Sequence, residues 1–229
     1  YLMYETLDSK ETILNQLRTG DVILMNPQRS FPLSCLSKAI KFFTGSKFSH
    51  VGMILKDPYF VADKAKLPRE QFKGIFVWES GWEGEPDLQD NKVKLGVQIT
   101  PIEQFLKDNN GTAYVRKIMC TDTVYKSTFT YEKLLKVHEL VYNKHYDINI
   151  LDWIEALFRI NLTPKHKDRF WCSALVGVIY NKLGIVEENT DWSIMRPSDF
   201  SLEDKNNHIN FTQNYKLSDY QLEFLSDKV

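Results

Sequence analysis

The sequence is poor in several features that usually declare a function. It has three cysteines in 229 residues, Cys35, Cys120 and Cys172, all far apart. An odd, sparse set does not build a disulfide scaffold and fits a reducing compartment. Nothing like CxxC or HxxxH occurs, so the local ligand pairs of ordinary zinc sites are missing, and neither a metal nor another cofactor is expected. No apolar run approaches the roughly 18 residues of a membrane span. The chain starts at Tyr1 without a basic-then-apolar signal, so no targeting or transmembrane segment is expected. The net charge of −1 leaves no basic footprint for nucleic acid.

What is present is ordinary in bulk, with 43% apolar and 26% charged residues. The length suits one domain, 1–229, with a core of about 20–200. Residues 1–19, including a short helix opened by Asp8-Ser9-Lys10-Glu11, and the tail 201–229 read as elaborations. Strands are expected at Asp21–Met25, His50–Leu55, Tyr59–Ala62, Ile75–Ser80, Val93–Ile99 and Ala113–Ile118. Asp21 is expected to shape the start of the first strand through backbone hydrogen bonds. Thr100-Pro101-Ile102-Glu103 reads as an N-cap, a proline at N1 and a capping glutamate. A helix is expected over Leu36–Phe43. Later stripes run from Tyr131 to Tyr142, Ile150 to Phe158 and Cys172 to Leu183, the last ended by Gly184. Beyond Gly184 the chain reads as polar and irregular, apart from Arg196–Phe200. A strand-rich half followed by a helical half is an α+β pattern.

Chemistry concentrates on Cys172, in Phe170-Trp171-Cys172-Ser173-Ala174-Leu175-Val176. It stands at the first turn of its predicted helix, and thiols at helix N-termini are favoured as thiolates. A nucleophilic cysteine needs a base, and the base an orienting group. His50 opens an apolar strand and shares its face with Gly52 and Ile54. His138 reads as a packed or half-exposed helix residue; His145, His166 and His208 sit in polar stretches. Glu79 closes a strand on the face of Ile75 and Val77, where a buried glutamate needs a partner. The bland alternatives are a core cysteine, a satisfied core histidine and a solvated glutamate.

The order of these pieces resembles a known family. Gly20-Asp21-Val22-Ile23, Phe48-Ser49-His50-Val51-Gly52, Trp78-Glu79-Ser80 and the Cys172 helix look like the circularly permuted branch of the NlpC-type papain-like superfamily. That branch includes YiiX-like bacterial proteins, lecithin:retinol acyltransferase relatives and a poxvirus and giant-virus group. Met195-Arg196-Pro197-Ser198-Asp199-Phe200 resembles the segment that follows the helix in YiiX-like members. The resemblance implies an antiparallel, barrel-like sheet of about six strands packed on the cysteine-bearing helix. It also implies that Cys172 is nucleophile, His50 general base and Glu79 orienting residue. Tyr146 resembles a tyrosine upstream of the cysteine helix in relatives, and with Trp171 and Ser173 is a substrate-binding or oxyanion candidate.

The expected activity is a cysteine-dependent hydrolase or acyltransferase working through a thioacyl intermediate. Its partner is a small acyl, amide or lipid substrate, with peripheral lipid contact and no nucleic acid. Phe42, Phe43, Phe48, Trp78, Trp82 and Trp171 suit an apolar acyl group, or equally a core. A silent papain-like binding module and a virion structural protein are the alternatives. The expected location is cytoplasmic or virion-associated.

Overall fold

The computed structural model describes residues 4–6, 10–27, 46–82, 85–109, 111–142, 144 and 171–225. Its strands are β1 (Tyr4–Thr6), β2 (Val22–Pro27), β3 (His50–Lys56), β4 (Ile75–Trp82), β5 (Leu95–Pro101), β6 (Gly111–Arg116), β7 (Ile118–Met119), β8 (Lys216–Leu217) and β9 (Gln221–Leu225). Its helices are α1 (Lys10–Gln16), α2 (Tyr59–Ala65), α3 (Ile102–Asn109), α4 (Asp122–Thr128), α5 (Tyr131–Val141) and α6 (Cys172–Lys182). The fold is α+β, as the sequence pattern implies.

The main sheet runs β1-β9-β6-β2-β3-β4-β5. The six strands from β9 to β5 are antiparallel to their neighbours, while β1 lies parallel to β9. The expected barrel does not close. The strands β1 and β5 are edges, and the outer side of β5 is used instead by Val97, whose N–H donates to Lys144 O at 3.0 Å. Alternation along a strand says which side chains are buried, not whether the two edges meet.

Both faces of the sheet are covered. On one, Val22, Leu24, Val51, Met53, Leu55, Trp78 and Ile99 share a core with α2, α5 and α6. On the other, Ile23, Met25, Ile54, Val77, Ala113 and Phe224 pack with α1 and α3. Strands buried on both faces read as continuous apolar runs, which Val22–Met25 is. The α6 helix is buried from Cys172 through Tyr180. Its amphipathic stripe underestimates this, because Trp192 and Met195 cover the side left over. A Cβ on Gly177 would lie 2.5 Å from Met195 Sδ and 2.8 Å from Trp192 Cβ.

Three local expectations fail. Tyr59–Ala62 is not a strand but the start of α2. Its short run Phe60-Val61-Ala62 is buried, and a short apolar run does not by itself separate strand from helix. Pro101 does not sit inside a helix; it ends β5, and α3 follows directly at Ile102. The tail is not an elaboration. It contributes β9, which lies between β1 and β6 with Leu222 and Phe224 in the core. The helices expected over Leu36–Phe43 and Ile150–Phe158 fall outside the described residues, as do Cys35, Tyr146, His145 and His166.

Candidate active site

The start of β2 is fixed by Asp21, as expected. Its buried carboxylate accepts from Arg18 N–H and Ile118 N–H, each at 2.9 Å, and from Lys117 Nζ at 2.5 Å. Burial pushes the Asp21 carboxyl above the usual range, against the lowering effect of Lys117. From this anchor β3 follows in register, with Val22 opposite Met53 and Met25 opposite His50.

His50 and Glu79 come together. His50 Nε2 lies 2.5 Å from Glu79 Oε2, with the glutamate side chain 1% and the imidazole 11% exposed. The ring packs against Phe105 of α3, centroids 5.7 Å apart. The pair leans over Gly81: a Cβ there would meet Glu79 Oε2 and His50 Cε1, each at 3.3 Å. With Nε2 committed to the carboxylate, Nδ1 is the ring's remaining basic nitrogen. Among the described residues it makes no hydrogen bond.

Cys172 does not join them. It is 3% exposed and belongs to the core shared with Val51 and Met53. Alternation along β3 puts His50 on the opposite face, with Ile54 and Phe105. Among the described residues Cys172 Sγ makes no hydrogen bond. Tyr180 OH donates to Gly20 O at 2.6 Å, and Gly20 N–H to Ile54 O at 3.0 Å, so this turn of α6 lies at the Ile54 end of β3. Cys172 is two turns earlier, about 12 Å along the helix. His50 is about 13 Å back along the strand.

The helix start is held by the segment after it. Met195 O accepts from Ser173 Oγ at 2.7 Å and from Trp171 Nε1 at 3.3 Å. Trp171 and Ser173, two of the three oxyanion or substrate candidates, are thus engaged in fixing the first turn of α6. Phe48 and Trp78 are fully buried core residues, not an open apolar surface. Glu79 and His50 were legible from alternation; the face assignment of Cys172 was not.

Other titratable groups lie apart from this pair. His138 is buried; its Nε2 pairs with Gln89 Oε1 at 2.8 Å, and burial lowers the imidazole to about 4. Among the described residues one trio suits a metal, Asp199, Asp204 and His208. Its members already hold a turn together, with His208 Nδ1 2.5 Å from Asp204 Oδ1. Beside it, a cavity of about 350 Å³ is lined by Arg116, Asp199, Asp204, Phe211, Lys216 and Asp219. Burial lowers the Arg116 guanidinium to about 10, and it donates to the carbonyls of Phe200, Ser201 and Ser218. No described helix is long and apolar enough to cross a membrane.

The chain matches no protein-family model and no curated protein sequence.

Proposed function

We propose that the protein is a cysteine-dependent hydrolase or acyltransferase of the permuted papain-like type, acting on an amide or ester carbonyl. The observation that carries this reading is the buried His50–Glu79 pair. Sequestering a carboxylate among apolar side chains is unfavourable unless its partner repays it, and a carboxylate on one ring nitrogen makes the other a competent base. In this reading Nδ1 takes the proton of Cys172, and the thiolate attacks the carbonyl carbon. The Cys172 backbone N–H, at the helix start, stabilises the oxyanion. His50 then protonates the leaving amine or alcohol, and water or another acceptor releases the acyl group. Turnover requires the first turn of α6 to bring Sγ round the end of the sheet to within about 4 Å of Nδ1.

The burial of Cys172 on the far face favours a second reading, a papain-like fold that binds or serves as a virion structural protein without turnover. A screen of short acyl esters, phospholipids and small peptide amides separates the two. The enzyme reading expects turnover that disappears in both Cys172→Ala and His50→Gln. Turnover that survives Cys172→Ala contradicts it, and no turnover on any class supports the silent reading.

A further inference from the structure

The cavity of about 350 Å³ is lined by residues of β6, β8 and the stretch 199–211, and by Asp219. Its size falls within the roughly 300–1,000 Å³ of pockets that hold small ligands. None of Cys172, His50 and Glu79 lines it. Its wall carries charge of both signs, and two of these charges are not paired with each other. Arg116 makes four hydrogen bonds, all to the carbonyls of Phe200, Ser201 and Ser218. Among the described residues it pairs with no carboxylate, and one N–H on Nη2 is left over. Asp204, its side chain 6% exposed, accepts from Asn206 N–H, His208 N–H and His208 Nδ1. Among the described residues it pairs with no lysine or arginine. Buried charges are unfavourable unless answered by opposite charge, so a cavity with one of each on its wall suits a ligand that answers both. Lys216 is tied to Asp219 at 2.9 Å, but both side chains are largely exposed, and such a pair costs little to exchange. Ile209, Phe211 and Leu217 supply the apolar lining.

We propose that this cavity binds a small zwitterion with an apolar body, the chemistry of a free amino acid or a dipeptide. The ligand's ammonium donates to Asp204 Oδ2, which otherwise accepts only from His208 N–H. Its carboxylate accepts from Arg116 Nη2–H and from Lys216 Nζ released by Asp219. Its apolar side chain lies on Ile209, Phe211 and Leu217. An amine or an acid alone answers one of the two wall charges and leaves the other unmatched. The site is separate from the proposed thiol chemistry and does not depend on it.

The test is an NMR titration of ¹⁵N-labelled protein with L-leucine, leucyl-glycine, leucinamide and N-acetylleucine. At least one of the two zwitterions is expected to shift the Asn207, Ile209 and Leu217 amides saturably. Leucinamide lacks the negative charge and N-acetylleucine the positive one, so each should bind at least about tenfold more weakly than the better zwitterion. Tighter binding of L-leucine than of leucyl-glycine assigns the site to amino acids, and the reverse order assigns it to short peptides. Lys216→Met, at a largely exposed position, should weaken the better zwitterion about threefold. Asp204→Asn keeps an acceptor for His208 N–H and removes the charge, so the zwitterion should then bind no better than N-acetylleucine. Equal affinities for all four probes, no saturable shift with either zwitterion, or shifts spread away from the cavity would overturn the proposal. So would an unchanged affinity in Lys216→Met, which decides the matter where Asp204→Asn does not fold.

Discussion

Acid should weaken this fold through one residue, His138, and the effect can be worked from its surroundings. The ring is 2% exposed, packed between Phe60, Trp78 and Tyr142. Nε2–H donates to Gln89 Oε1, while Nδ1 is buried with no partner among the described residues. Protonation would place a new donor and a charge there, and burial disfavours it first. Lys64 and Lys94 add to that, and Glu139 opposes it weakly. The folded state therefore holds this imidazole at about 4, against 6.5 when unfolded. Because the unfolded chain binds the proton more readily, stability at His138 is complete above about pH 6.5 and falls as pH drops toward 4. A displacement of that size corresponds to roughly 3 kcal/mol. The assay is urea unfolding of the wild type and His138→Gln from pH 7 to pH 4. Gln cannot titrate and keeps a donor for Gln89, so the other ionising groups cancel in the difference. Relative to the variant, the wild type should lose about 3 kcal/mol over that interval. Parallel pH curves would refute the reasoning.

Two further perturbations test how the site is held. Lys117→Met strands the Asp21 carboxylate in a buried setting and should cost about 3 kcal/mol in urea unfolding. Adding Asp21→Asn should recover part of that loss, and an additive double variant would contradict the pairing. Gly177→Ala pushes a methyl into Met195 and Trp192 and should destabilise by about 1–3 kcal/mol. It should also change Trp192 fluorescence, and a neutral substitution would show that the Trp192–Ile194 turn is not packed as described.

The strands that position the site were legible because their alternation or apolar runs are unbroken: Val22–Met25, Val51–Leu55 and Ile75–Trp78 all lie where the pattern puts them. The His50–Glu79 pair followed from the same period, since both were assigned the face of Ile54 and Val77. Cys172 was legible as a helix start but not as to face. Helical periodicity gives one stripe, and α6 is buried on nearly every side by elements from distant sequence. The β9 strand was missed because five residues, Gln221-Leu222-Glu223-Phe224-Leu225, stand in a polar tail and pair with partners more than 100 residues away.

The central claim is that Cys172 is activated by His50, and alkylation rates test it most directly. Cys120 serves as internal reference, half-buried with a thiol that burial pushes up. Iodoacetamide should modify Cys172 at least about tenfold faster than Cys120 in the folded protein, and His50→Gln should erase that advantage. A Cys172 that reacts more slowly than Cys120, at a rate indifferent to His50→Gln, would contradict the account.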